Sequence, residues 1–566
     1  MITLQPSPAR PAPGVRRGLL VLGLIALLSQ GWGRAADPVA RHSGGILRLA
    51  LEADPRSLDA GQVFSNEEGT VGFLLFNTLL EAGPEGGFVP VLAEGLPEGS
   101  ADGLAYRFRL KQGVRFANGQ ELEAADVVHS LERCFDPEAA AVNLAYFTSI
   151  LGGLEFLEAR KKELATPRRP GHDPGPSRWI EPRRVEGLRA VDTRTVEIRL
   201  SRRDLGFLHV LTTLSAAIVP RSETTRLGRQ FATHPVGTGP FVVKTWTRGA
   251  RIRMVRNPYY FKADRPGPDA VDVLVGLDRS TQAMMFERGE LDFEYYITDP
   301  DLTRFRRDPR MKACLKRVVG STPTFAFLNC EIPPFTNRLV RVALNHAIDR
   351  EAAVRLMSNR AVAQRGPLPL TVRGFNQELP EYAYDPARAR ALLAEAGYPN
   401  GFATTLWCNP KDPTWWRLGL FVQESLRKVG VSVSMREISY TGLIDASGRR
   451  RTVPMGIWDW VSAYDDPRDT LDSLLNGNNL SEDGCINNAF YSAPRVDELF
   501  RKSAAEGDPG RRLSLFRQIE RQVVEDAPWI FLVQMNLDSL CQPWVKGMSL
   551  RGFWPPAHLE DCWIDR

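Results

Sequence analysis

Residues 106 to 116 read Tyr106-Arg107-Phe108-Arg109-Leu110-Lys111-Gln112-Gly113-Val114-Arg115-Phe116, and the stretch runs on through Asn118-Gly119 to Ala125-Asp126-Val127. Tyr106, Phe108 and Leu110 alternate with Arg107 and Arg109, the two-residue period of a strand with one buried face. Asn118-Gly119 is a turn dipeptide, since both residues tolerate a positive φ that most side chains resist. A helical segment from Glu123 to Cys134 follows. Strand, turn and helix in close succession set an α/β reading.

The same grammar extends both ways. Leu47, Leu49 and Leu51 alternate with Arg48 and Ala50, which predicts another strand. Ser65 with Glu68 forms a capping box ahead of Val71, Phe73, Leu75, Phe76 and Leu79, the start of a helix. Val196, Ile198 and Leu200 alternate against Glu197 and Arg199. Residues 160 to 185, rich in proline and basic side chains without periodicity, predict a surface loop. Thr336 is placed to cap a helix whose faces repeat as Leu339, Ala343, Ala347 and Val340, Leu344, Ile348. Asp385-Pro386 opens a helix that Gly397 stops. No internal repeat is evident.

The chain has 566 residues, enough for two or more domains, with 25% charged and 43% hydrophobic residues, the usage of ordinary water-soluble proteins. Lys and Arg number 72 against 67 Asp and Glu, but residues 1 to 35 hold four arginines and no acid, leaving 68 against 67 beyond them. A near-neutral remainder has no global field for nucleic acid or anionic lipid. Arg16-Arg17, the apolar run Gly18 to Ser29 and the small residues Gly33 and Ala35 form a secretory layout, which predicts a signal peptide over residues 1–35 cleaved after Ala35. The apolar run is shorter than the roughly 20 residues a span requires. No cysteine precedes Cys134, so no lipoprotein tether is expected. Seven cysteines make an odd set without a C-x-x-C; Cys541 with Cys562 and Cys314 with Cys330 are the nearest disulfide candidates, beside the alternative of buried thiols.

Signatures of catalysis are missing. There is no G-x-S-x-G elbow, H-E-x-x-H or Walker A sequence. Gly237-Thr238-Gly239-Pro240 imitates a phosphate loop, but Pro240 removes a backbone donor and no Gly-Lys-Ser/Thr follows. The seven histidines are scattered with no pair at i, i+4, so neither a metal nor another cofactor is expected.

Longer segments resemble the bacterial extracellular solute-binding proteins of the dipeptide and oligopeptide class (family 5), which serve ABC importers. Gly44-Gly45-Ile46-Leu47-Arg48 with Ser57-Leu58-Asp59 is similar to that family's mature amino terminus, and residues 106 to 127 to its most recognisable signature. Pro235-Val236-Gly237-Thr238-Gly239-Pro240-Phe241, Arg256-Asn257-Pro258-Tyr259-Tyr260, Gly289-Glu290-Leu291-Asp292, Arg341 to Arg350, Tyr384-Asp385-Pro386 through Phe402, Phe490-Tyr491-Ser492 and Glu525-Asp526-Ala527-Pro528-Trp529 continue in the family's order. The resemblance implies a bilobal periplasmic-binding-protein-like fold of type II with mixed sheets flanked by helices. Lobe I would take residues 44–86, 190–321 and 531–566, an inserted subdomain 87–189, and lobe II 322–530. Two crossing segments, Thr322 to Asn329 and Ile530 to Gln534, would form the hinge.

The resemblance also locates a pocket. Trp458-Asp459-Trp460-Val461-Ser462-Ala463-Tyr464-Asp465-Asp466-Pro467 resembles the family's pocket motif, in which an aspartate three residues after a tryptophan pairs with a peptide's amino group. Trp460 keeps the tryptophan, while Ala463 stands at the aspartate's position and Asp465 is the candidate replacement. Core packing is the alternative for Trp458 and Trp460; Trp460 is favoured as a pocket wall, its indole offering rigid area and a donor. Phe64-Ser65-Asn66 aligns with the ligand-contacting turn of the other lobe. The implied ligand-binding set is Trp460, Ser462, Ala463, Tyr464 and Asp465 with Phe64, Ser65 and Asn66. The implied function is a periplasmic binding protein that is not an enzyme, a monomer whose partners are a peptide-like solute and the permease, with no nucleic acid. Another solute on the same fold, such as a nickel chelate, haem, opine or sugar, comes second, and a secreted hydrolase third.

Overall fold

In a computed structural model describing residues 44–63, 65–83, 87–100, 102–165, 184–204, 206–462, 464–552 and 557–566, the alternation at Leu47, Leu49 and Leu51 is strand Ile46–Leu51, those three leucines buried. It pairs in parallel with Ala270–Val275, and Arg251–Arg256 and Phe241–Thr247 complete a four-stranded sheet. Helix Asn66–Leu75 closes over this sheet, opened by the expected capping box of Ser65 and Glu68. The glycines of the Gly237-Thr238-Gly239 turn have a packing reason: a Cβ would lie 2.1 Å from the Leu75 carbonyl oxygen at Gly237 and 2.3 Å from the Leu75 carbonyl carbon at Gly239.

A second four-stranded sheet, ordered Glu98–Gly99, Ala105–Arg109, Thr195–Arg199, Leu188–Ala190, contains the opening stretch of the sequence reading. Phe108, Val196 and Ile198 are fully buried with helix Ala124–Glu132 against them. This core also takes in Phe207, Val210, Leu211 and Ile218.

The largest sheet runs Phe293–Glu294, Trp529–Cys541, Leu315–Leu328, Met455–Asp459, Ala403–Cys408, Ser432–Glu437, with Ala361–Ala363 also on Trp529–Cys541. Its two longest strands lie antiparallel from Leu315 opposite Leu540 to Phe327 opposite Trp529. Each strand belongs to two cores: Leu540 packs with Phe286, Leu302 and Phe305, whereas Phe325 to Leu328 and Trp529 to Val533 pack with helices Arg338–His346 and Pro413–Arg427. Phe325 stacks on Trp529 at 3.6 Å between ring centroids, and each such buried ring adds about 2 to 3 kcal/mol of transfer free energy.

Several expectations shift. Asn337, not Thr336, caps helix Arg338–His346, its side chain accepting from the Leu339 N–H. Residues 160–165 continue helix Gly153–Ala165 rather than a loop, because Arg160 is buried among Asp136, Glu138 and Glu163. Helix Ala124–Glu132 passes into a 3-10 turn at Arg133–Phe135. All seven cysteines carry free thiols, six of them buried. The signal segment 1–35 and residues 166–183 lie outside the described residues, as do Phe64 and Ala463. Among the described residues no helix is long and apolar enough to cross a membrane.

Candidate functional site

The site is built on an irregularity in the crossing strands. Their register shifts between Val319 and Thr322, where a Cβ on Gly320 would sit 2.4 Å from the Met535 carbonyl oxygen, so only glycine lets the strands approach. Gln534, fully buried opposite this bulge, donates to the Gly320 carbonyl and accepts the Leu370 N–H at 2.8 Å. On the other side of strand Leu315–Leu328, the Trp460 N–H donates to Pro323 at 3.2 Å and the Ser462 N–H to Ser321 at 3.3 Å. Segments 370–373 and 460–465 are thus both tied to the bulge. They meet where Asp465 Oδ1 accepts the Arg373 N–H at 2.6 Å.

Along the pocket segment the side chains divide. Trp458 is core, 5.7 Å from the Trp415 ring and stacked on Tyr440. Trp460 is half-buried and donates its indole N–H to the buried Asp469 at 3.0 Å, while Val461 beside it is 52% exposed. Ser462 is fully buried, its hydroxyl 3.4 Å from that of Thr470. Tyr464 leaves its own core for that of the second sheet, stacked on His209 at 5.5 Å and edge-on to Tyr146 at 6.4 Å. Asp466 caps helix Pro467–Leu475 and holds Arg512 through bonds of 2.6 and 2.8 Å; Arg468 of that helix pairs with Asp204.

On the opposite side, Ser65 is used by its capping box and Asn66 Nδ2 donates to the Tyr296 hydroxyl at 3.0 Å. Arg279 lies over the Tyr296 ring at 5.2 Å, and a small cavity opens beside Asn66, Thr70, Arg279 and Tyr296. The structure therefore joins Trp460, Ser462, Tyr464 and Asp465 in one unit and gives Ser65 and Asn66 partners of their own.

Charge in the site is mostly committed. Burial pushes the Asp459 carboxyl up to about 6, against the lowering effect of the Trp415 indole N–H 3.1 Å away. Burial also opposes ionisation of Asp466, but the bidentate Arg512 outweighs it and holds that carboxyl below its ordinary value. Behind segment 370–373, the buried Glu520 accepts the Asn376 N–H at 3.0 Å, and burial pushes its carboxyl up to about 8. Elsewhere, long-range folding brings Glu81, His558 and Glu560 within 4.8 Å of one another beside a small cavity. Lys262 already stands there, 2.5 Å from Glu560 and 3.9 Å from Glu81, so an ammonium neutralises the carboxylates that a metal would need.

Tyr146, His209, Arg373 and Gln534 were not singled out by sequence reasoning as site residues. Nothing in their local spacing marks them, because each arrives from a segment distant in the chain.

A family model described as bacterial extracellular solute-binding proteins, family 5 Middle, matches residues 87–482. The glutathione-binding protein GsiB of Pectobacterium atrosepticum is 27% identical over 547 residues, spanning 95% of this chain and 96% of that relative. Among solved structures, clavulanic acid biosynthesis oligopeptide binding protein 2 is 26% identical with a TM-score of 0.82, over 93% of this chain and 96% of the other. The periplasmic binding protein DppA of Helicobacter pylori, in complex with the peptide STSA, is 23% identical with a TM-score of 0.74 over 93% and 99%, a likeness of fold.

Proposed function

The chain belongs to the bacterial extracellular solute-binding proteins of family 5, and from that premise we propose that it captures a peptide-type solute between two closing lobes and delivers it to the permease of an ABC importer. Its fold is the bilobal α/β fold of these proteins. In this reading lobe I comprises residues 44–86, 190–321 and 531–566, the inserted subdomain 87–189 and lobe II 322–530, and the two crossing strands serve as the hinge. The observation that carries the proposal is the bulge at Val319 to Thr322, on which segments 370–373 and 460–465 are both fastened at the point where the strands pass between cores. A hinge of two strands lets the lobes approach as rigid bodies, and contacts made to both lobes at once stabilise the closed state over the open one.

Trp460, Ala463 and Asp465 with the Phe64-Ser65-Asn66 turn are assigned to the solute's surroundings, while the buried Ser462 and Tyr464 support that wall from behind. Peptide-type chemistry is favoured by the relatives, one named for glutathione and another bound to a peptide. The protein acts as a monomer, without nucleic acid and without catalysis, and reaches the periplasm by cleavage after Ala35 with no lipid anchor. Native mass spectrometry of protein purified from its own periplasm tests this. A bound mass matching a peptide is expected; a chelate, haem, opine or sugar mass in its place refutes the peptide reading.

A further inference from the structure

Resting on the reading just given, we propose that lobe II recognises its solute by a carboxylate, through Arg373, and not by an amine. The argument starts from what the acids of the pocket segment are doing. Asp459 accepts the Trp415 indole N–H, Asp466 is bidentate with Arg512, and Asp469 accepts the Trp460 indole N–H. Asp465, the acid nearest to Ala463 in sequence, spends one oxygen on the Arg373 main-chain N–H at 2.6 Å and turns the other toward the Arg373 guanidinium at 3.9 Å. An ammonium buried here would meet carboxylates that already have donors, and desolvating a cation without a dedicated partner is costly.

Arg373 is in the opposite condition. Its side chain is 44% exposed, and among the described residues its guanidinium makes that one 3.9 Å approach and no hydrogen bond. Its backbone is held at and just before this position: Asp465 accepts its N–H, Gln534 accepts the Leu370 N–H, and the Thr371 hydroxyl donates to the Gly320 carbonyl. Exposed Leu370 and Val461 flank the same bulge, so a planar five-donor cation is presented from a rigid loop beside apolar surface. An arginine rooted on an anchored stretch of backbone, its guanidinium donors uncommitted, can meet a carboxylate bidentately. Asp465 then acts as a positioning residue for Arg373.

The test is calorimetric titration of the mature chain and of Arg373→Gln and Arg373→Lys, with reduced glutathione, its diethyl ester and its amino-acetylated form as probes. Tri-alanine and its amide are titrated in parallel. Esterification or amidation should weaken binding by about ten-fold or more, while acetylation changes it by less than about three-fold. Arg373→Gln should lose about the same factor for the free acids and nothing for the masked forms, and Arg373→Lys should recover part of it. Unchanged melting temperatures establish that both variants fold. Binding of the free acids by Arg373→Gln at the wild-type affinity would overturn the proposal, as would loss on acetylation without loss on esterification. Failure of every probe to bind would instead remove the peptide-type reading on which the proposal stands.

Discussion

Glu520→Gln should alter the pH dependence of stability through a single buried carboxyl. Glu520 is fully buried, accepts the Asn376 N–H through Oε2, and its Oε1 has no hydrogen-bond partner among the described residues. Burial raises its folded value from an ordinary 4.5 to about 8, so the neutral acid is the form that folding favours. The stability this lends is complete below the unfolded value and is lost as pH rises toward the folded one. Each pH unit in that window removes at most about 1.4 kcal/mol, hence a few kcal/mol across it. Glutamine keeps the acceptor for Asn376 and cannot ionise, so the variant has no such slope. Its amide lacks a second partner, which costs about 1 kcal/mol at every pH. Urea unfolding of both chains from about pH 5 to about pH 8 should show the variant slightly weaker in acid and clearly stronger at the alkaline end. A difference between the two chains that stays constant with pH would refute the assignment of a buried, protonated Glu520.

Asp466→Asn keeps the helix cap on Pro467–Leu475 but strands the buried Arg512, and should cost about 3 to 5 kcal/mol in urea unfolding, much of it restored by adding Arg512→Met. Because the Asp466 carboxyl is held below its ordinary value of 3.8, that stability is present above about pH 4 and fades as pH falls through the folded value. Trp460→Ala should lower stability by about 2 kcal/mol, less than the roughly 3 to 5 of an enclosed tryptophan, yet weaken binding of the native solute by at least about ten-fold; calorimetric melting beside titration separates the two. Gly320→Ala pushes a Cβ against the Met535 carbonyl and should destabilise by about 1 to 3 kcal/mol, read as an earlier unfolding midpoint.

The elements that were legible in advance are those whose cause is local. The Leu47, Leu49, Leu51 alternation, the Ser65 and Glu68 capping box and the Asp385-Pro386 helix start each need only neighbouring residues, and each is present. Where two local signals competed the reading slipped by one: Thr336 and Asn337 both suit a cap, and the Asn337 side chain reaches the Leu339 N–H. Residues 160–165 look like loop because of their charge, yet Arg160 is satisfied by three acids brought from elsewhere and stays helical. Of the candidate site, only the contiguous part could be read in advance. Trp460 and Asp465 came from a resemblance of contiguous residues, but the stacking of Tyr464 on His209 joins positions 255 residues apart, and the Asp465 bond to Arg373 joins positions 92 apart. Such pairs are set by topology, which no local period encodes.

The central claim, closure of two lobes over a solute about the crossing strands, is tested most directly by small-angle scattering of the mature chain with and without saturating solute, binding being measured in the same sample. The account predicts a smaller radius of gyration in the bound form, because contacts to both lobes exist together only when the cleft is shut. An unchanged radius at full occupancy would contradict it.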